Sequence, residues 1–379
     1  TGIVETDAKR GLVKYAKPAG VIASLIPMTN PAMTPPVTGV SSANARNAVI
    51  FSPHPRTAAT TCEMSRIMRA ACHAVGAPED LFQCIERPSI PMTQYLMESC
   101  DLTLATGGKP MVQAAYSSGK PAYGVGAGNS TIVVDETADL NEAAKNIMIS
   151  KTSDFGSGCS ADGNIVIQKS IYSNMVSELQ ANNGYLCNSA EKELLSRAMW
   201  DNKENRTFST IACKPQQLAL VAGFEIPEHI KFLMVENNGQ IGKEHKFSKE
   251  KLTTLMALYY FEEFPDALNI IQKIYEVGGK GHSCGIYSTS DKNIDALARV
   301  APVSRMMVRQ PQSKSNAGSW TNGMPMTSSL GCGIWGGNIT NENVTMKHMM
   351  NYTWVSKPIQ EDRPSERELF GEFFGQEVA

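Results

Sequence analysis

Short runs that are apolar on both faces alternate with helical stretches, and this alternation limits the possible folds more than any other feature. In the first part of the chain the strand candidates are 21–26, 48–51, 81–85, 102–105 and 131–134. Strands that are apolar on both faces are typical of parallel sheets covered on both sides. Because strand, helix and strand in succession require crossover connections, the pattern predicts a doubly wound α/β sheet.

Two stretches carry helix signals with recognisable ends. Residues 57–75 are rich in Ala, Met and Arg, and Gly76 follows as a C-cap residue. Asp139 and Glu142 have the spacing of a capping box, which predicts a helix up to about residue 149. Beyond residue 151 the alternation continues at 164–168, 171–180, 251–260, 267–277 and 285–288. The chain is therefore expected to contain a second α/β domain.

The two ends of the chain differ from this core. Segments 10–16 and 352–355 carry strand signals, and we expect them to pair with each other or with another subunit. Residues 359–379 are charged and are expected to form a loose tail. The chain starts at Thr1 without an initiator methionine, so we also expect an N-terminal portion to be missing from the first domain.

Charge and cysteine content exclude several function classes. A net charge of -2 gives no electrostatic reason to expect binding to nucleic acid or to an anionic membrane surface. The apolar runs are too short to span a bilayer, and no signal peptide is visible. Nine cysteines occur without the spacing of metal ligands, so no metal site is expected. We interpret them as free thiols in a reducing, cytoplasmic compartment.

Cys159 is the first candidate for chemistry. It lies in the run KTSDFGSGCS at 151–160, where Gly156 and Gly158 permit a tight backbone and leave the sulfur uncrowded. Free backbone N–H groups beside a thiol favour the thiolate and can hold an oxyanion. The alternative is an inert buried thiol, which is the commoner fate of a free cysteine.

Polar and glycine-rich turns follow several predicted strands. Asn30, in PMTNP at 27–31, could present its amide to a developing oxyanion, although an Asn-Pro turn alone would also explain it. Thr106-Gly107-Gly108 and the Gly-rich run at 124–129 allow close approach of a phosphate or a substrate. Neither run has the Gly-x-Gly-x-x-Gly fingerprint of an ordinary dinucleotide fold, so the signal is only suggestive.

Taken in order, these motifs resemble the aldehyde dehydrogenase superfamily, and specifically its CoA-acylating branch. The similarity extends from about residue 11 to residue 357. It includes IFSPHPR at 50–56, LATGG at 104–108, AYSSGKP at 115–121, VDETAD at 134–139, EKL at 250–252, GGKGHSC at 278–284 and LGCGIWGGN at 330–338. Runs of this length, in one order over most of the chain, are very specific.

The resemblance implies a role for individual residues. The catalytic thiolate of the family falls on Cys159 and the oxyanion asparagine on Asn30, while His282 is a candidate base for a thiol or, alternatively, a core or capping histidine. The implied cofactor contacts are Thr29, Ser52, Pro53, His54, Thr106, Gly107, Gly126, Gly128 and Glu250. Thr253 and Thr254 stand where relatives carry Ser-Pro, which leaves the local turn beside Glu250 open.

The same resemblance implies an acylating reaction. Hydrolytic members of the family carry a glutamate that activates water, but the matching segment here, VGAGN at 125–129, has no carboxylate. A thioester without a base for water should persist until a better nucleophile arrives, and a thiol such as CoA is that nucleophile. The cofactor is NAD or NADP, between which the sequence does not decide, and CoA is the co-substrate.

Within the branch, the chain is most similar to the enzymes that act on sulfoacetaldehyde. Arg309 and Lys314 stand where the acetaldehyde enzymes carry an uncharged segment, and a sulfonate needs cationic donors. Alternatively, both are surface cations or contacts to a CoA phosphate, and Arg206 is another candidate. Acetaldehyde and succinic semialdehyde remain alternative substrates, and a non-catalytic nucleotide-binding or assembly subunit remains an alternative function.

The resemblance also suggests a division of the chain. We expect a dinucleotide-binding domain at 17–150, a catalytic domain at 151–345, oligomerisation strands at 8–16 and 350–358, and a C-terminal tail at 359–379. The strands would form a homodimer or a higher homo-oligomer. The partners expected for the chain are therefore a small aldehyde, CoA and further copies of itself.

Overall fold

Two parallel sheets and one small antiparallel sheet form the framework of the computed structural model, which describes residues 1–375. Its strands are β1 (Gly2–Asp7), β2 (Leu12–Pro18), β3 (Val21–Ile26), β4 (Ala48–Pro53), β5 (Phe82–Cys84), β6 (Leu102–Thr106), β7 (Ala122–Val125), β8 (Thr131–Val134), β9 (Asn164–Gln168), β10 (Gly184–Leu186), β11 (Phe232–Glu236), β12 (Leu255–Phe261), β13 (Gly281–Tyr287), β14 (Val303–Val308) and β15 (Met350–Ser356).

Helices connect most of these strands and cover the faces of the parallel sheets. They are α1 (Thr34–Asn44), α2 (Ala58–His73), α3 (Ile90–Ser99), α4 (Lys109–Tyr116), α5 (Leu140–Thr152), α6 (Tyr172–Ala181), α7 (Ser189–Met199), α8 (Pro215–Ala222), α9 (Phe264–Val277), α10 (Asp291–Val300), α11 (Gln312–Ser315) and α12 (Glu366–Phe370). The predicted helix at 57–75 corresponds to α2. Asp139 caps α5 by accepting hydrogen bonds from the amides of Asn141 and Glu142.

The first parallel sheet has the strand order β5-β4-β3-β6-β7. Each connection between consecutive strands contains a helix, so the predicted doubly wound arrangement is confirmed. Ile22, Phe51 and Leu104 form part of its buried core. The strand order reverses between β3 and β6, and ligands of such sheets bind at the carboxyl ends of the strands near this reversal.

The second parallel sheet has the order β10-β11-β12-β9-β8-β13-β14. Successive residues of β9 alternate between two apolar cores, with Ile165 and Ile167 in one and Val166 in the other. The first domain was expected to extend to residue 150, but β8 pairs with β9 and β13 and therefore belongs to this second sheet. The two sheets divide at 126–130, because hydrogen-bond pairing, and not composition, decides which sheet an apolar strand joins.

The antiparallel sheet has the order β1-β2-β15 and joins the two ends of the chain. Tyr352 of β15 lies opposite Ala16 of β2, so the two strands expected at the ends do pair with each other. Strand β1 was not predicted. Part of the C-terminal segment forms α12, while the last four residues of the tail expected at 359–379 lie outside the described residues.

Two features of the described residues bear on the expectations from composition. Cys62 of α2 and Cys84 of β5 form a disulfide with a Cα–Cα distance of 5.3 Å. The expectation that all cysteines are free was therefore wrong for this pair, because packing of α2 against β5 brings the two residues together. Over residues 1–375 no helix is long and apolar enough to cross a membrane, and no cluster of His, Cys, Asp and Glu side chains suits a metal ion.

Candidate active site

The carboxyl edge of the first sheet gathers most of the residues expected to contact a cofactor. Three neighbouring strands, β4, β3 and β6, end there. The residues at or just beyond their ends are Ser52, Pro53 and His54 after β4, Thr29 and Asn30 after β3, and Thr106 and Gly107 after β6. This edge lies at the reversal of strand order, so its position fits a dinucleotide.

Several of these side chains already have partners within the protein. The Ser52 hydroxyl lies 2.9 Å from that of Thr93 on α3, and the Thr106 hydroxyl lies 3.3 Å from that of Ser329. The second contact joins the first sheet to a loop that follows the second sheet. A side chain at Gly107 would collide with Met111, so the backbone there is open to a ligand only on its other side.

Cys159 lies in a loop at the amino edge of the second sheet. The loop precedes β9, while Gly128 precedes β8 and His282 is the second residue of β13. Because β9, β8 and β13 are neighbours in the sheet, their amino ends meet and bring these segments together. The five-residue connection 126–130 joins the carboxyl end of β7 to the start of β8, so the cofactor edge adjoins Cys159.

The backbone around Cys159 is held in an uncommon conformation. Asp154, Phe155 and Gly156 all have left-handed φ angles, of 47°, 50° and 69°. Left-handed non-glycine residues cost of order 1–3 kcal/mol each and cluster at functional sites. On the other side of the loop, a Cβ at Gly128 would collide with the Cys159 carbonyl. Only glycine at 128 therefore lets the two loops pack this closely.

The sulfur of Cys159 lies 3.0 Å from Nε2 of His282. Burial raises the pKa of the Cys159 thiol to about 12, and the nearby Glu250 and Cys332 act in the same direction. Burial also lowers the pKa of His282 to about 3, with the positive charge of Arg305 contributing. The resting pair is therefore a thiol beside a neutral imidazole, which can accept the thiol proton.

Glu250 lies near the same loop. Burial raises the pKa of its carboxyl group to about 8, while a hydrogen bond from the Gly128 N–H and the charges of Lys151, Arg206 and Lys251 oppose this rise. The Gly128 amide thus links the loop before β8 to Glu250. The structure therefore places this predicted cofactor contact within electrostatic reach of Cys159.

Asn30 is half-buried in the turn between β3 and α1. Its main-chain oxygen accepts a hydrogen bond from the Thr34 amide. Within residues 1–375, its side-chain amide forms no hydrogen bond. The Cys159 N–H likewise donates to no other residue in that range, and its proximity to its own sulfur opposes the rise in the thiol pKa. Neither amide therefore has a partner within the described residues that would compete with an oxyanion.

The structure leaves two of the cations expected to bind an anionic substrate exposed and holds the third within the protein. The side chains of Arg309 and Lys314 are exposed and form no hydrogen bond or ion pair with any residue in the described range. Arg206 cannot serve as the alternative, because its guanidinium group donates to the carbonyls of Met199, Thr210 and Lys251. Arg56, just beyond the end of β4, stacks its guanidinium group on the ring of Phe208, with 3.7 Å between Cζ and the ring centroid.

Sequence reasoning missed several polar residues that surround the loop. Arg305 is buried on β14 and donates to the carbonyls of His282, Gly331 and Asn341. Asp162 and Lys151 are buried close to each other, and burial moves the pKa of each to about 7. Lys151 lies in the run at 151–160, but burial of a charged residue has no sequence signal of its own.

Comparisons with known proteins agree with this geometry. Residues 2–188 match the sequence profile described as the aldehyde dehydrogenase family. The chain is 42% identical to a sulfoacetaldehyde dehydrogenase from Acholeplasma sp, over 98% of this chain and 77% of that protein. It is 35% identical to a succinate-semialdehyde dehydrogenase (acetylating) from Clostridium kluyveri, over 98% of this chain and 82% of that protein.

Solved structures give the same result. An acetylating aldehyde dehydrogenase from Geobacillus thermoglucosidasius superimposes with a TM-score of 0.92 at 37% identity, covering 96% of this chain and 80% of that one. A propionaldehyde dehydrogenase from Rhodopseudomonas palustris with bound propionyl-CoA superimposes with a TM-score of 0.84 at 25% identity, covering 94% and 77%. The structural similarity therefore extends over most of the chain.

Proposed function

The chain belongs to the aldehyde dehydrogenase family, and we propose that it oxidises a small aldehyde to its acyl-CoA with NAD or NADP and CoA. Cys159 forms the acyl thioester in this reaction, and sulfoacetaldehyde is the proposed aldehyde. The proposal for the aldehyde follows the similarity to the Acholeplasma enzyme. Acetaldehyde and succinic semialdehyde are the alternatives, the latter because of the Clostridium kluyveri relative.

The 3.0 Å contact between Cys159 and His282 is the observation that carries this function. It supplies a nucleophile with its own base, which is the arrangement that covalent catalysis needs. The same imidazole can later take the proton of a second thiol. Because the segment 125–129 contains no carboxylate, it provides no base for water, and the propionyl-CoA in a related structure supports CoA as the acyl acceptor.

In the first half of the proposed reaction, four groups act on the aldehyde. His282 takes the Cys159 proton, the sulfur attacks the aldehyde carbon, and the side-chain amide of Asn30 and the Cys159 N–H hold the oxyanion. NAD or NADP bound at the carboxyl edge of the first sheet would supply the acceptor for the hydride that leaves this carbon. Thr29, Ser52, Pro53, His54, Thr106 and Gly107 would hold it there, and Glu250 would hold its nicotinamide ribose.

In the second half, CoA is the nucleophile. His282 releases its first proton to solvent and then accepts the proton of the CoA thiol. The CoA sulfur attacks the acyl carbon, the bond from that carbon to the Cys159 sulfur breaks, and Cys159 recovers its proton from His282. The net products are acyl-CoA, NADH or NADPH, and one proton.

A substrate panel tests the function directly. We expect NAD(P)H formation, followed by absorbance, to require both aldehyde and CoA, with the highest kcat/KM for sulfoacetaldehyde among sulfoacetaldehyde, acetaldehyde and succinic semialdehyde. Sustained turnover without CoA would indicate hydrolysis, with Glu250 as the nearest carboxyl group to activate water. No turnover under any condition would favour a non-catalytic nucleotide-binding or assembly subunit.

Replacing Asn30 with alanine should slow the oxidation step strongly. One oxyanion donor typically contributes about 2.7–4 kcal/mol to the barrier, so we expect kcat to fall by about 10²–10³-fold. Because the Asn30 side chain has no hydrogen bond in the described range, the melting temperature should stay unchanged. Asn44→Ala, an exposed asparagine at the far end of α1, is the control. A kcat within fivefold of wild type would remove Asn30 from the oxyanion site.

Arg309→Ala and Lys314→Ala test the proposed sulfonate contact. If either cation binds the sulfonate, KM should rise about tenfold or more for sulfoacetaldehyde and much less for acetaldehyde, because charge-assisted hydrogen bonds contribute about 1.5–3 kcal/mol. Lys292→Ala on α10 is a control for removal of a surface charge. Equal effects on both aldehydes would leave the two residues as surface cations, as their exposure in this structure suggests.

We also propose that the chain forms a homodimer or a higher homo-oligomer through the β1-β2-β15 sheet. Trp354 and Ile3 expose large apolar surfaces there, at 52% and 60%. Sedimentation of the intact chain measures the oligomeric state.

We likewise propose the division into a cofactor-binding and a catalytic domain, and a cytoplasmic location.

A further inference from the structure

A ring of hydrogen bonds leads from the Cys159 sulfur back to the Cys159 carbonyl oxygen. Sγ lies 3.0 Å from Nε2 of His282, whose Nδ1 lies 2.9 Å from Oγ of Ser283. This Oγ lies 3.0 Å from Oγ of Ser130, and the Ser130 hydroxyl donates to the Cys159 carbonyl across 3.3 Å. Ser130, His282 and Ser283 are all buried, so these groups depend on one another for hydrogen bonds.

The carbonyl oxygen gives the ring a direction, because a carbonyl can only accept. Ser130 uses its single hydroxyl proton on this oxygen, so in the contact with Ser283 it must accept. Ser283 then donates its own proton to Ser130 and must accept from Nδ1 of His282. A neutral imidazole carries one N–H, so Nε2 is left with a lone pair towards the Cys159 thiol. If the hydrogen bonds of the ring ran in the opposite direction, one of two things would follow. Either two acceptors would face each other in one contact, or the Cys159 carbonyl would receive no hydrogen bond.

We propose that Ser283 and Ser130 are positioning residues that hold His282 in the Nδ1–H tautomer, so that Nε2 serves as the base for Cys159. The catalytic role of these hydrogen bonds rests on the proposed function, but the hydrogen bonds themselves are present in the protein without substrate. A base held in one tautomer by a third group is the logic of nucleophile–histidine sites in general. Here hydroxyl groups take the place that a carboxylate fills elsewhere.

The backbone on either side of the imidazole is fixed independently of this ring. Tyr275 on α9 donates its hydroxyl to the Ser283 carbonyl at 2.7 Å, and Arg305 donates to the His282 carbonyl at 3.1 Å. Removing the Ser283 hydroxyl should therefore leave the position of β13 unchanged. Its expected effect is on the proton of His282 and not on the fold.

Most of the groups that face the pair favour its neutral form, and Arg305 acts differently on its two members. Arg305, on β14, opposes a positive charge on His282. Glu250 and Cys332 raise the pKa of the Cys159 thiol and so oppose a negative charge on the sulfur, whereas Arg305 lowers this pKa. A neutral pair therefore reacts in one step: the S–H bond breaks as the sulfur attacks carbon, and the proton moves to Nε2. With iodoacetamide as the electrophile, an S–C bond forms and iodide leaves.

Alkylation of the resting enzyme by iodoacetamide measures this base. The rate is followed by mass spectrometry of the peptide that contains Cys159, between pH 6 and 8. In the wild-type protein Nε2 is free over this range, so the rate should be nearly independent of pH. In Ser283→Ala, Nδ1–H loses its buried acceptor at a cost of about 1–3 kcal/mol, which favours the other tautomer.

The expected result for Ser283→Ala is a fall in the alkylation rate at pH 7 of about 5- to 150-fold, the fold-change that corresponds to this cost. Its rate should also rise with pH, because the thiolate, whose share grows with pH, then carries a larger part of the reaction. Ser130→Ala should act in the same direction, since it frees the Ser283 hydroxyl to donate to Nδ1. Ser283→Thr, which keeps the hydroxyl, should restore the flat profile.

Ser42→Ala is the matched control, because Ser42 is equally buried but lies on α1 beside the first sheet, where its hydroxyl donates to the sulfur of Met349. It should alkylate at the wild-type rate. A flat profile in Ser283→Ala, or faster alkylation because the site has opened to solvent, would overturn the proposal. The assay contains no aldehyde, cofactor or CoA. If the pH profiles change as expected but CoA-dependent turnover is absent, the proposed function fails and the positioning role stands.

Discussion

Cys159→Ala should reduce CoA-dependent aldehyde oxidation by roughly 10⁶-fold, the loss that follows removal of a nucleophile in a covalent mechanism. No other described thiol is paired with a base: the ring of His282 contacts Cys159 and no other cysteine. The variant should still fold, because Cys159 is a loop residue and alanine fits its backbone. Activity is measured as NAD(P)H formation, and folding as the melting temperature.

Cys332→Ala provides the sharpest comparison for this prediction. Cys332 is the other free thiol whose charge would affect Cys159, and it is buried against Gly126. It donates to the Leu330 carbonyl and has no imidazole beside it. We expect Cys332→Ala to keep turnover within about tenfold of wild type. In the wild-type protein, incubation with aldehyde and NAD(P)⁺ without CoA should leave an acyl group on the Cys159 peptide. If the acyl group were found on Cys332 instead, Cys159 would not be the nucleophile.

His282→Ala should slow both halves of the reaction by about 10²–10⁴-fold, the usual contribution of a general base. The reason is the pKa of the Cys159 thiol, which burial raises to about 12, so that very little thiolate forms at pH 7 without a base. The first half is measured as the burst of NAD(P)H in the absence of CoA. The second is measured as transfer of the acyl group to CoA from the preformed acyl-enzyme.

The pH dependence of the burst rate provides a second test of the role of His282. Burial lowers the pKa of His282 to about 3, so the imidazole is neutral and able to accept a proton throughout pH 5–9. The wild-type burst should therefore show no loss of rate between pH 8 and pH 5 from protonation of His282. In His282→Ala, the burst should instead rise with pH as hydroxide forms the thiolate. His229→Ala, an exposed histidine, is the control, and an unchanged burst in His282→Ala would contradict the assigned role.

The strands were the most predictable part of the fold. Val21–Ile26, Thr131–Val134 and Asn164–Gln168 begin and end where the apolar runs do. Strand β7 was missed because Gly124 lies inside it and glycine normally weakens a strand. Here the small residue is required, because a side chain at 124 would collide with Val112 and Tyr116 of α4. The pairing partner of a strand, unlike its span, is a long-range property, and this is why β8 was assigned to the wrong sheet.

The candidate site likewise combines residues that the sequence predicted with contacts that only the fold determines. The resemblance of the ordered motifs to a family pointed to Cys159, Asn30, Glu250 and His282 as site candidates and indicated the class of chemistry, because residue types in a fixed order along the chain carry that information. Only the tertiary structure decided that Cys159 and His282, 123 residues apart, are 3.0 Å from each other. It also added Ser130 and Ser283, and it gave the side chains of Arg309 and Lys314 no hydrogen bond or ion pair within residues 1–375. Distances, burial and pKa values depend on which strands lie side by side, and this pairing is set by packing between segments that are remote in the chain.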